Sequence, residues 1–181
     1  MNMTKLIIST SFFFLISATF VESLYTHSVK TIEGVTKPLT NYQGKKMLII
    51  TLPVQHNSSS DSLLHSLDSL ESVHNSSMVI IAVPAYEDGY RPALKDSLKQ
   101  WYRSILSMDI VVTEGYVTRK TSGNIQHPLF KWLTDKNRNN HFDRDVTGPG
   151  NKFIVSATGE LIGVLGTQTS LKSNTIHNLL Q

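Results

Sequence analysis

The sequence predicts an α/β fold, a mixed sheet flanked by helices with an N-terminal β-hairpin, and three observations predict it. Two short continuous apolar runs, "KKMLIITLP" (45–53) and "MVIIAVP" (78–84), read as strands buried on both faces. Each is followed by a segment whose apolar residues recur at helical spacing. The chain then closes on a hairpin pattern and a last helix.

Taken in order, "LYTHSVKTIEGVTKPLTNYQGK" (24–45) carries short alternating segments broken at Glu33-Gly34 and Gln43-Gly44, which predicts the opening hairpin. After the first buried strand, Leu63, Leu64, Leu67, Leu70 and Val73 predict an amphipathic helix over residues 61–74, with Ser60 or Asp61 as its cap. After the second strand, "RPALKDSLKQWYRSIL" (91–106) has Pro92 in a first helical turn and a stripe of Leu94, Leu98, Trp101, Tyr102 and Ile105. "DIVVTEG" is a short strand and "HPLFKWLTDK" a short helix. "KFIVSATGELIGVLG" is a hairpin turning at Thr158-Gly159, and "SLKSNTIHNLLQ" is the C-terminal helix. This is a thioredoxin-like order of elements.

Residues 1–23 have the layout of a secretory signal peptide: Lys5 in a short basic start, an apolar core over residues 6–20, and small residues near Val21 and Ser23. Cleavage is expected after Ser23, leaving residues 24–181 as one domain, exported to a periplasmic or extracellular space. No later segment has the length of a membrane span. The formal charge of +3 is spread along the chain, with basic residues interleaved among acidic ones, so nucleic acid is not an expected partner. The cysteine count of 0 excludes a disulfide frame, a thiolate metal ligand and a redox thiol within the chain. Asn57-Ser58-Ser59 and Asn75-Ser76-Ser77 match the glycosylation triplet, a short pattern of low specificity.

The segments "LYTHSVKTIEGVTKPLTNYQGKKMLII", "IIAVPAYEDG", "HPLFKWLTDK" and "KFIVSATGELIGVL" give the chain a resemblance to the glutathione peroxidases over nearly all of residues 24–181. The resemblance implies a thioredoxin-like fold and a peroxidatic cysteine or selenocysteine at the end of the first core strand. Here His56 falls on that position. The family's "F-P-C-N-Q-F" segment lies over "VPAYED", placing Ala85 on its cysteine and Glu87 on its glutamine, and its tryptophan–asparagine pair lies over Gly148 and Pro149. Peroxide reduction needs a thiolate or selenolate that becomes a sulfenic-type species, a cycle imidazole does not follow. An ionised glutamate only accepts hydrogen bonds where glutamine also donates. No catalytic residue of the family type is therefore expected, and the chain reads as a glutathione-peroxidase-like domain that has lost thiol chemistry and binds a protein or small-molecule partner.

The alternative is a peroxide-stress enzyme by descent, with residual or metal-assisted activity at His56 and Glu87; a structural domain without a ligand is a third class. His56, ahead of a helix N-terminus, is expected as neutral imidazole. With Glu87 it forms only half of a metal site, and Asp88 or Tyr86 is the weak candidate for a third ligand. No metal and no cofactor is expected. "DKNRNNHFDRD" (135–145) begins like a calcium loop with Asp135, Asn137 and Asn139, but Asn140 and Val146 replace the required glycine and glutamate, so a polar loop is expected. His27, His65, His74, His127 and His177 show no ligand spacing and read as surface or cap residues. Trp101 and Trp132 read as helix-face packing.

Overall fold

The computed structural model describes residues 22–181. The signal-peptide reading falls on residues 1–23 and so lies, for residues 1–21, outside the described residues. The opening hairpin forms as β1 (Ser28–Lys30) and β2 (Thr36–Pro38), antiparallel. Its turn places Gly34 at φ +90°, a left-handed conformation that glycine adopts without a Cβ penalty.

The main sheet has five strands: β3 (Lys46–Leu52), β4 (Met78–Pro84), β5 (Val111–Val112), β6 (Lys152–Val155) and β7 (Leu161–Leu165). They lie in the order β5-β4-β3-β6-β7. β3, β4 and β5 are parallel, whereas β6 runs antiparallel to β3 and to β7. The parallel pairs require crossovers, and these are α1 (Ser58–His74) between β3 and β4 and α2 (Lys95–Ile105) between β4 and β5. Short helices α3 (Pro128–Thr134) and α4 (Lys136–Asn139) follow, and α5 (Asn174–Leu180) closes the chain.

The two-residue period of the central strands divides the core into two layers. Leu48, Ile50, Leu52, Ile80 and Ala82 pack with Leu64 and Leu67 of α1, Leu98 and Tyr102 of α2, and Ile176 of α5. Met47, Ile49, Val79, Ile81 and Val83 pack on the opposite face with Leu129, Phe130 and Leu133 of α3 and with Val29 of the hairpin. Both faces of the sheet are covered, which is why β3 and β4 read as unbroken apolar runs.

Three local expectations are corrected. α1 starts three residues earlier than the apolar period indicates, and its cap is Asn57, whose Oδ1 accepts from Ser60 N–H at 3.0 Å. Ser60 and Asp61 are inside the first turn. Val73 is 71% exposed while Glu71, 7% exposed, faces inward, so the apolar stripe ends a turn before the helix does. The polar segment after α3 is not a plain loop: Asp135 caps the single turn of α4, and Asn140 ends it at φ +66°.

Candidate functional site

The site lies where β3 and β4 end, beside the β3–β6 junction, in the crevice outside the carboxyl ends of the parallel strands. Thr51 fixes the floor. Its Oγ1 donates to Gly148 O at 2.7 Å and accepts from Asn151 N–H at 3.0 Å, while its carbonyl accepts from Gly150 N–H at 2.7 Å. The 147–151 segment is thereby stitched to β3. Gly150 at φ +83° allows the close return. Tyr102 Oη donates to Pro53 O at 2.7 Å, which holds the exit of β3 against α2. Burial raises the Tyr102 phenol, and the group stays neutral.

Between these parts runs an open polar groove of about 790 Å³. Gln55, Asn57, Ser59 and Ser60 line it at the start of α1, Gly148, Pro149 and Gly150 at the loop, Asp88 beyond β4 and Lys152 at the start of β6. Gly148 is buried and Pro149 exposed, and both line the groove.

His56 and Glu87 are held in separate networks. The exposed His56 ring stacks on Trp101 at 4.9 Å between centroids, and its Nε2 lies 3.1 Å from Asp61 Oδ2. Trp101 Nε1–H also donates to Asp61, at 2.8 Å, and this bond first and the His56 contact next hold the carboxyl below its usual range. Glu87 instead folds back on the segment after β5. It accepts from Thr118 N–H at 2.9 Å, Arg119 N–H at 2.8 Å and Ser122 Oγ at 2.9 Å. Burial raises its pKa, but the hydrogen bonds outweigh burial and leave it below the ordinary value. Glu87 thus acts as a tether for the 117–122 segment, with its lone pairs already engaged. Among the described residues no group of three or more His, Asp or Glu side chains is placed to hold a metal ion.

The groove is built largely by residues that motif matching passes over. Gln55, next to His56, lines it, and Lys152 and Asp88 carry its charges. The signal for Lys152 was a lysine opening an otherwise apolar strand. Asp88 was visible only as a neighbour of Glu87. Two histidines depart from a surface role: His27 is 8% exposed, and His127 is half-buried, stacked on Tyr116 at 3.7 Å while its Nδ1 caps α3. Burial, with the neighbouring His27 charge second, pushes His127 down to about 4.

No protein-family model and no curated protein matches the chain. Solved structures do. The protein described as Trgpx, in apo form, matches at a TM-score of 0.64 and 17% identity, covering 88% of this chain and 94% of that one. T. cruzi GPX1 matches at 0.62 and 13%, covering 88% and 95%. The Xanthomonas campestris bacterioferritin comigratory protein, described for alkyl peroxide reduction, matches at 0.56 and 11%, covering 90% and 97%. Thioredoxin-family thiol:disulfide proteins match as well. At these identities the comparisons show the fold, and the fold of this chain is thioredoxin-like, shared with peroxidases and disulfide oxidoreductases.

Proposed function

We propose that this chain is an exported, glutathione-peroxidase-like domain that has left thiol peroxidase chemistry and works as a binding module. The observation that carries this is the groove at the ends of β3 and β4, where thioredoxin-fold redox proteins keep their thiols: its lining has no thiol, and the chain has 0 cysteines. The signal-like N-terminal residues support export. His56, Glu87, Gly148 and Pro149 stand where the family's four catalytic positions fall by resemblance, and none supplies a group that is oxidised and then resolved. A polar, open, preformed groove is retained nonetheless, which favours a binding role over a purely structural one.

The test is turnover. The purified domain, offered hydrogen peroxide or a lipid hydroperoxide with glutathione or thioredoxin, is expected to consume neither faster than a heat-denatured control. Saturable peroxide consumption by the native protein would overturn the proposal.

A further inference from the structure

The groove buries two charged side chains, and the chain itself satisfies neither completely. Lys152 opens β6 at 1% exposure, on the same face of the sheet as Ile154 and therefore on the side covered by α1. Its ammonium donates to Gly150 O at 2.5 Å and Gly166 O at 3.3 Å, and no carboxylate among the described residues pairs with it. An ammonium has three N–H donors, so one is left over. Burial pushes Lys152 down to about 8, a mark of the cost of holding the charge there. A methionine of similar length would avoid that cost, so packing alone does not account for a lysine.

Asp88 stands on another wall with its side chain 7% exposed. Its Oδ1 accepts from Arg119 Nη2 at 2.7 Å, whereas its Oδ2 and the Nε of the same Arg119 are both buried without a hydrogen-bond partner. An orphan acceptor of this kind is costly to bury unless something fills it. Asp88 follows β4 and Lys152 begins β6, and these strands flank β3. At ordinary strand spacing the two strands lie about 10 Å apart, with Asp88 on the turn beyond the end of β4. The third wall is the first turn of α1, where Asn57 takes the Ser60 N–H, the earlier amides have no intrahelical partners, and the field favours negative charge.

We propose that the groove binds a small organic anion, a carboxylate or a phosphate, that also carries a hydrogen-bond donor. The anionic group meets Lys152 and the first turn of α1, and the donor meets the Asp88 carboxylate. This rests on the reading of the groove as a binding site and gives that site a ligand class. A groove of about 790 Å³ has the size of small-molecule sites.

The experiment titrates the isotope-labelled domain with aminohexanoate and with aminoethyl phosphate, following backbone amide shifts, and repeats each with the donor-free hexanoate and ethyl phosphate. At least one amine-bearing probe is expected to give saturable shifts confined to residues 55–60, 88–89, 148–152 and 166–169, and to bind more tightly than its donor-free counterpart. The stronger of the two tells carboxylate from phosphate. Lys152→Met is expected to weaken binding by about tenfold or more, and Asp88→Asn to erase the preference for the amine. Absence of saturable shifts with all four probes, shifts lying elsewhere, or unchanged affinity in a folded Lys152→Met protein would overturn the proposal. Should Lys152→Met not fold, the location of the wild-type shifts decides. Peroxide turnover is read separately, so a failure of the binding-module reading is distinguishable from a failure of the ligand class.

Discussion

At the scale of single residues, two side chains each shape how the fold answers acid, in separate windows. Glu87 ties the 117–122 segment to the turn after β4 through two backbone N–H groups and a serine hydroxyl. Because its folded pKa lies below the ordinary 4.5, its stabilisation is present above that value and is lost as pH falls through the lower folded one. Glu87→Gln turns an amide donor toward donors that need an acceptor, and Thr118 is fully buried. A loss of about 1–3 kcal/mol is expected in denaturant unfolding at neutral pH, with less sensitivity than the wild type as pH falls below the ordinary glutamate range; equal stability of the two proteins would contradict the tether. His127 works higher on the scale. Its pKa is lowered from 6.5 to about 4, so the unfolded chain binds a proton that the folded chain resists, and stability falls as pH drops between those values and levels off below. His127→Asn keeps a cap acceptor for α3 and removes the titration. Its melting temperature is expected to fall less steeply between pH 6.5 and 4, any remaining slope belonging in part to buried His27, whose pKa burial also lowers. Parallel curves for variant and wild type would count against this assignment.

At the scale of elements, the apolar period of the sequence identified β3, β4, α1, α2 and the closing hairpin, because each buries its apolar residues at its own repeat. Capping was less legible: Asn57, Ser58, Ser59, Ser60 and Asp61 are all competent cap residues, and only the path of the chain from Pro53 selects Asn57. The groove was half legible. Gly148 and Pro149 came from motif position, whereas Lys152 and Asp88 gain their importance from burial, which no local pattern reports. The N-terminal boundary shows the same limit. Small residues near Val21 and Ser23 suggest cleavage after Ser23, yet Glu22 O accepts from the buried Trp132 Nε1–H at 2.7 Å, and the Glu22 carboxylate pairs with Arg138 at 2.7 Å and lies 3.6 Å from His27. A chain beginning at Leu24 leaves the Trp132 donor unpaired in the core. It is expected to melt roughly 2–10 °C below one beginning at Glu22, measured calorimetrically on the two purified proteins. Identical melting would show that the Glu22 contacts add nothing to the fold.

For the molecule as a whole, the proposed loss of thiol chemistry turns on what a thioredoxin-like frame supplies by itself. The frame supplies a helix N-terminus after β3, a field that lowers the pKa of a thiol placed directly in it. His56 stands at the position that the family resemblance assigns to the peroxidatic residue, but its exposed ring is stacked on Trp101 and 3.1 Å from Asp61 Oδ2. A thiol installed by His56→Cys would face a carboxylate, which disfavours the thiolate and opposes the helix field. Of the positions the resemblance assigns to its support, Glu87 is spent on residues 118–122, and Pro149 has neither a side-chain amide nor an N–H to donate. His56→Cys is therefore expected to give a folded protein whose thiol alkylates no faster at pH 7 than an unperturbed cysteine, and whose peroxide turnover stays within about tenfold of a free thiol. Asp61→Asn in the same background removes the opposing charge and is expected to speed alkylation without restoring turnover. A His56→Cys protein that reduced peroxide at rates typical of enzymes would show that the frame alone carries the chemistry, and the supporting residues at positions 87, 148 and 149 would then lose the importance given them here.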